Sequence, residues 1–240
     1  MTNQHVLVIG GSSGMGLALA GALLETGRRV TIAGRSTARL AAATAQLAAS
    51  PGAPLRAVPL DVGVEDQVAA LAGDGFDHVV VTAADAVGAY APLPDFTLDA
   101  ARTVLATKVL GPWLVAKHLG TALPPGGSLT FTSGIAAYRP GPGSSMIATA
   151  NGALEALART LALELAPARV NVVSPGWVDT PIWDTLAGAA KPDRLAAMAS
   201  RLPVGRVGTP ADVAQAFLAV LDNGFMTGTV VHVDGGHRLV

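Results

Sequence analysis

The sequence predicts an α/β fold in which about seven parallel strands form one doubly wound sheet flanked by helices on both faces, and three observations carry that expectation. The apolar runs are continuous rather than alternating, as in Val6-Leu7-Val8-Ile9 and Val79-Val80-Val81, which suits strands buried on both faces. Those runs alternate along the chain with stretches of helical composition, so successive strands require crossover connections. The first run also breaks into Gly10-Gly11-Ser12-Ser13-Gly14-Met15-Gly16 before the helical stretch Leu17 to Leu24, a strand-turn-helix suited to holding a phosphate.

Three glycines in that turn have a physical use. Gly10 can take backbone angles closed to other residues, Gly14 lets the main chain approach a pyrophosphate, and Gly16 lets helix and strand pack closely. The N–H groups that open the helix then face the anion. A second strand, Arg29 to Gly34, follows at the distance a βαβ unit requires. Ser36 can cap a helix over Thr37 to Ala49, and Pro51-Gly52-Ala53-Pro54 ends it before a third strand, Leu55 to Leu60. A short helix (Glu65 to Ala72) and the turn Gly73-Asp74-Gly75 lead to a fourth strand, Asp77 to Thr82. A loop rich in Ala, Gly and Pro reaches Pro94, and a long helix runs from about Leu98 to Leu119. The fifth strand is Ser128 to Thr132; a loop containing Pro140 and Pro142 precedes a helix from about Ser145 to Leu165. The sixth strand is Arg169 to Val173. Helical pieces at about Ile182 to Leu186 and Arg194 to Ala199, a helix from Pro210 to Leu221 and a strand from Thr229 to Val233 complete the order. No repeat or linker interrupts it, so one domain over residues 1–240 is expected, with its ligand across the carboxyl ends of the strands.

Composition narrows the partners. Sixteen basic and seventeen acidic residues give net charge −1, which offers nothing to nucleic acid, an acidic membrane surface or a polyanion. The absence of cysteine excludes disulfides, thiolate catalysis and Cys-based metal sites. His5, His78, His118, His232 and His237 share no spacing, so metal binding is not expected and each reads as structural. The start Met-Thr-Asn-Gln-His lacks a basic region, and no apolar run approaches the roughly 18 residues of a membrane span; a cytoplasmic protein is the expectation.

The chain resembles the short-chain dehydrogenase/reductase family over essentially its full length. The matching pieces are Gly10-x-x-x-Gly14-Met15-Gly16, Leu60-Asp61-Val62, Leu163-Glu164-Leu165-Ala166-Pro167, the run Arg169 to Pro181 that contains Ser174-Pro175-Gly176-Trp177, and Thr227-Gly228-x-x-x-x-Val233-Asp234-Gly235-Gly236. The resemblance implies a Rossmann-type sheet, a nicotinamide cofactor, a small-molecule substrate and a homodimer or homotetramer. It also implies that Asp61 hydrogen-bonds the adenine and that Pro175 to Thr180 hold the nicotinamide amide. The nucleotide-contacting set expected from motif and resemblance together is Gly10, Ser12, Ser13, Gly14, Met15, Gly16, Arg35, Ser36, Asp61, Val62, Ala83, Ala84, Thr132, Pro175, Gly176, Val178 and Thr180. Cofactor choice has a physical argument of its own. A site for NAD places a carboxylate at the end of the second strand, whereas a 2′-phosphate needs that anion absent and a cation near. The strand ends Gly34-Arg35-Ser36, so Arg35 can fork onto a phosphate and Ser36 can add a hydroxyl; NADP(H) is expected.

The catalytic positions depart from the family. Its members use a Ser after the fifth strand, a Tyr thirteen residues on, a Lys four beyond the Tyr and an Asn on the preceding long helix. Here the Tyr position holds Ile147, the Lys position Asn151 and the Ser position Gly134, with Ser133 beside it. Tyr138 cannot slip into the role, because no Lys follows at four residues and Pro140 and Pro142 prevent the helix that would carry the pair. The family's Asn-x-x-Gly reads Lys108-Val109-Leu110-Gly111, so the Asn and Lys positions have traded residue types. Lys108 has Val104, Leu105, Gly111 and Pro112 as helical neighbours, an apolar setting for an ammonium. It is either a snorkelling surface lysine or an active-site amine with a perturbed pKa. Lys108, Ser133 and Asn151 form the candidate catalytic set. Asp85 could pair with Lys108 or be an ordinary loop acid. Trp177 and Trp183 flank the expected substrate lid. Three functions remain open at this level: an NADP(H)-dependent oxidoreductase in which Lys108 and Ser133 steady developing charge, an NADP(H)-binding protein without redox chemistry, and a non-redox isomerase or cyclase.

Overall fold

A computed structural model describes residues 4–48, 54–84 and 88–240. Seven strands form one sheet: β1 (His5–Ile9), β2 (Arg29–Gly34), β3 (Leu55–Pro59), β4 (His78–Val81), β5 (Ser128–Thr132), β6 (Arg169–Pro175) and β7 (Val230–Val233). Their order is β3-β2-β1-β4-β5-β6-β7, and every neighbouring pair is parallel. Winding outward in both directions from β1 creates a crevice where β1 meets β4, above the carboxyl ends.

The helices are α1 (Gly14–Glu25), α2 (Thr37–Leu47), α3 (Glu65–Ala69), α4 (Leu98–Leu105), α5 (Gly111–Leu119), α6 (Ser145–Glu164), α7 (Ile182–Ala187), α8 (Lys191–Ala199) and α9 (Pro210–Asp222). Alternate strand residues explain the continuous apolar runs. Leu7, Ile9, Val79, Val81 and Phe131 pack towards Val115 of α5 and Leu154 of α6. Val6, Val8, Ile32, Val80 and Val173 pack on the opposite face towards Leu19 and Leu23 of α1 and Phe217 of α9. Both faces are covered, so no polar alternation survives in the strands.

Several expected boundaries shift. The third strand stops at Pro59 and the sixth continues to Pro175, the short helix ends at Ala69 and the eighth begins at Lys191. The turn expected at residues 51–53 and the candidate Asp85 lie outside the described residues. The largest difference concerns the long helix. It is continuous from Leu98 to Leu119, but Ala106–Leu110 is a π-helical turn between α4 and α5. Pro112 supplies the reason: it has no N–H for the Lys108 carbonyl four residues back, and its ring crowds that oxygen. No helix among the described residues is long and apolar enough to cross a membrane.

Two buried histidines lie near the amino-terminal end of the sheet, far from the crevice. His5 Nε2 pairs with Thr31 Oγ1 at 2.8 Å and His78 Nδ1 with Ser128 Oγ at 2.9 Å. Burial, assisted by the Arg169 charge, pushes the His78 pKa from 6.5 to about 4. The unfolded chain therefore binds the extra proton first, and stability falls as pH drops from 6.5 towards 4. This one residue accounts for about 3 kcal/mol of that loss. Denaturant titrations across that pH range should show a shallower decline in His78→Gln; an unchanged slope rejects the assignment.

Candidate active site

The nucleotide side of the crevice is shaped by atoms that glycine alone permits. Gly10 sits at φ +92°, and a Cβ there would lie 2.5 Å from Thr82 Oγ1 and 2.7 Å from the Ala83 amide nitrogen. A Cβ on Gly16 would lie 2.3 Å from the Gly10 carbonyl, so α1 touches the end of β1 through backbone alone. Ser13 caps α1 in an extended conformation with no side-chain bond, and the first turn holds no acidic residue. The opening N–H groups and the positive end of the helix remain for an anion.

A cavity of about 580 Å³ lies on this cradle. Thirteen of the expected nucleotide residues line it: Gly10, Ser12, Ser13, Gly14, Met15, Gly16, Arg35, Ser36, Asp61, Val62, Ala83, Ala84 and Thr180. Four do not. Thr132 donates its hydroxyl to the Val81 carbonyl, Gly176 packs on Asp234, Pro175 ends β6, and Val178 is buried in a bridge to Gly208. Arg39, which the sequence argument missed, joins Arg35 at the end of β2, and its amide donates to Ser36 Oγ at 3.2 Å. Its position four residues after Arg35, on the first turn of the capped helix, was the available signal. Among the lining residues Asp61 is the carboxylate, and its Oδ1 accepts the Gly63 N–H at 2.9 Å. An anion cradle and two guanidinium groups at the end of β2, where the chain reads Gly34-Arg35-Ser36 in place of a carboxylate, fit NADP(H).

The reactive side is built on the strap that leaves β5. Lys108, in the π-helical turn, is 5% exposed and donates from Nζ to the Thr132 carbonyl at 2.8 Å and the Ser133 carbonyl at 3.3 Å. Lys108 is therefore not a snorkelling surface residue. Burial brings its pKa down from 10.5 to about 8. The next carbonyl, Gly134, accepts from Asn151 Nδ2 at 3.3 Å, while Asn151 Oδ1 is buried without a partner among the described residues. Ile147 belongs to an apolar cluster with Ala89, Val104 and Ala150, so no hydroxyl occupies the tyrosine position.

Ser133 makes a bond that the sequence did not anticipate: its hydroxyl donates to Glu155 Oε1 at 2.8 Å. Tyr138 donates to the other oxygen of Glu155 at 2.5 Å and meets His232 edge-on at 4.7 Å. The phenol is pushed up to about 12 by loss of solvent and by the bond to Glu155. Glu155 and its link to Tyr138 escaped the sequence argument, although the spacing 147, 151, 155 places all three residues on one helix face. At the rim, Trp177 and Trp183 stack at 4.3 Å beside the cavity residues Pro181 and Ile182.

A family model described as enoyl-(acyl carrier protein) reductase matches residues 10–238. The short-chain dehydrogenase/reductase malC of Malbranchea aurantiaca is 36% identical, across 100% of this chain and 96% of its own. The solved structure of MalC, described as a reductase/Diels-Alderase, has a TM-score of 0.93 at 35% identity, covering 99% of this chain and 97% of its own. An NADPH-bound short-chain oxidoreductase of Pseudomonas aeruginosa PAO1, described as containing an atypical catalytic centre, has a TM-score of 0.89 at 29% identity, covering 97% and 96%.

The fit between Gly134 and Asn151 can be tested directly. A Cβ at Gly134 would lie 3.1 Å from Asn151 Nδ2, so Gly134→Ser should cost about 1–2 kcal/mol by overpacking. In denaturant melts much of that cost should vanish when Asn151→Ala is the background; strictly additive losses contradict the contact.

Proposed function

Because the chain belongs to the short-chain dehydrogenase/reductase family, we propose that it is an NADP(H)-dependent oxidoreductase acting on a small carbonyl or alcohol, or on a C=C or C=N substrate. The observation that carries this reading is the cavity on the glycine cradle, lined by Arg35, Ser36, Arg39 and Asp61 and, from the π-helical turn, by Thr107, the chain neighbour of the buried Lys108. NADP(H), when bound, supplies or accepts a hydride. Gly10 to Gly16 hold its pyrophosphate, Arg35, Ser36 and Arg39 receive the 2′-phosphate, and Asp61 meets the adenine. Thr180 and the lid segment that begins at Pro181 cover the remaining length.

Lys108 serves the substrate. An ammonium has three donors, and two are spent on the Thr132 and Ser133 carbonyls. The third is available to a substrate oxygen or nitrogen on which negative charge develops. With a pKa near 8 the amine exchanges protons readily near neutral pH. Ile147 excludes water where the family carries a phenol, and Asn151 and Ser133 shape the strap rather than donate protons to the substrate. A second reading, cyclisation or isomerisation without hydride transfer, draws support from the MalC description as a reductase/Diels-Alderase. There Lys108 would act as acid or base alone.

Two experiments decide these points. Quenching of tryptophan fluorescence should show tighter binding of NADPH than NADH, with Arg35→Ala losing about 1.5–3 kcal/mol towards NADPH only; equal affinities reject the cofactor assignment. A panel of ketones, aldehydes, imines and enones should reveal NADPH oxidation that falls about 10²–10⁴-fold in Lys108→Met while NADPH binding persists. Reduction uses the ammonium, so the wild-type rate should decline as pH rises through about 8. Wild-type turnover in Lys108→Met defeats the role given to Lys108, and a panel that never oxidises NADPH favours the non-redox reading.

A further inference from the structure

Glu155 is a carboxylate buried to 6% exposure, and among the described residues its hydrogen-bonded partners are two hydroxyls rather than a cation. Such a group is costly to bury unless hydrogen bonds compensate it, and here the two hydroxyls do so. What the carboxylate fixes is visible in the direction of those bonds. Both hydroxyls donate to the carboxylate, so it acts as an anchor for Ser133 and Tyr138 and not as a link that passes a proton between them. Ser133 is also held through its backbone, its N–H donating to the Val173 carbonyl at 3.0 Å. Its own carbonyl and that of Thr132 are the two acceptors of the Lys108 amine.

We infer that Glu155 is a positioning residue: by holding the Ser133 side chain it sets the pair of main-chain carbonyls that keep the Lys108 amine in its buried place. The inference rests on the functional role given above to Lys108, but its geometry involves neither substrate nor cofactor. Tyr138, 42% exposed, contributes the outer end of the strap and shields the carboxylate from water. Asp61, whose loop approaches the π-helical turn at Ala106, keeps its carboxylate on the Gly63 amide and does not share this anchoring.

The chain has only three lysines, Lys108, Lys117 and Lys191, so protein labelled with ¹³C,¹⁵N-lysine gives a side-chain NMR spectrum in which each can be followed with pH. Lys108 should titrate near 8 in the wild type. In Glu155→Ala the strap loosens, water reaches the amine, and the midpoint should rise by about one pH unit or more towards that of an ordinary lysine. Glu155→Gln, which keeps one acceptor, should fall between. Tyr138→Phe, which leaves the bond from Ser133 intact, should stay at the wild-type midpoint, and Lys117 and Lys191 should not move in any variant. A Lys108 midpoint that is the same in wild type and Glu155→Ala overturns the inference. If that variant does not fold, Ser133→Ala and Glu155→Gln take its place, and a midpoint unmoved in both is the overturning result. Full turnover in Lys108→Met would remove the catalytic role while leaving this titration free to succeed, so the two failures are distinct.

Discussion

The strap that leaves β5 is built around an amine held by main-chain oxygen. Within the described residues Lys108 meets the carbonyls of Thr132 and Ser133 and no carboxylate. Neutral acceptors satisfy its hydrogen bonds without cancelling its charge, so burial drives the pKa down, to about 8. A carboxylate in the same place would have done the reverse and kept the ammonium charged throughout the neutral range. The π-helical turn belongs to the same constraint. Pro112 prevents a regular bond to the Lys108 carbonyl, the helix widens there, and the lysine leaves it at the point nearest the end of β5.

The fold and the glycine turn were largely legible in the sequence, because short-range chemistry decides them. Continuous apolar runs meant strands buried twice, and the glycine turn meant backbone in contact with backbone: Gly16 stands where a side-chain carbon would be 2.3 Å from the Gly10 oxygen. Such positions tolerate no alternative, so residue type and position carry the structure. The expected nucleotide residues that do not line the cavity are different in kind. Thr132, Pro175, Gly176 and Val178 lie on or just beyond the strand ends, where a side chain can turn into the crevice or behind its wall, and that choice rests on neighbours distant in sequence such as Asp234 and Gly208.

The reactive half was legible only as a set of missing groups. Counting positions against the resembled family set Ile147, Asn151 and Gly134 where a phenol, an amine and a hydroxyl are expected, and it singled out Lys108. It could not show that Ser133 gives its proton to Glu155, because that bond joins residues 22 apart through a loop with two prolines. Nor could it show Tyr138 beside the same carboxylate. Proline excluded Tyr138 from the helix, but it did not exclude it from the strap.

Lysine and asparagine have traded positions between the long helix and α6, yet they have not traded tasks. On α6, Asn151 bonds the Gly134 carbonyl. From the other helix Lys108 bonds the two carbonyls before it. Three consecutive main-chain oxygens, 132 to 134, are thus covered in sequence by side chains from two helices, and Glu155 anchors the middle residue from below. Gly134 completes the arrangement, since a side chain there would press on the Asn151 amide. The consequence is a strap organised around backbone polarity, in which Lys108 and Asn151 each meet main-chain oxygen and the Glu155 carboxylate meets hydroxyls.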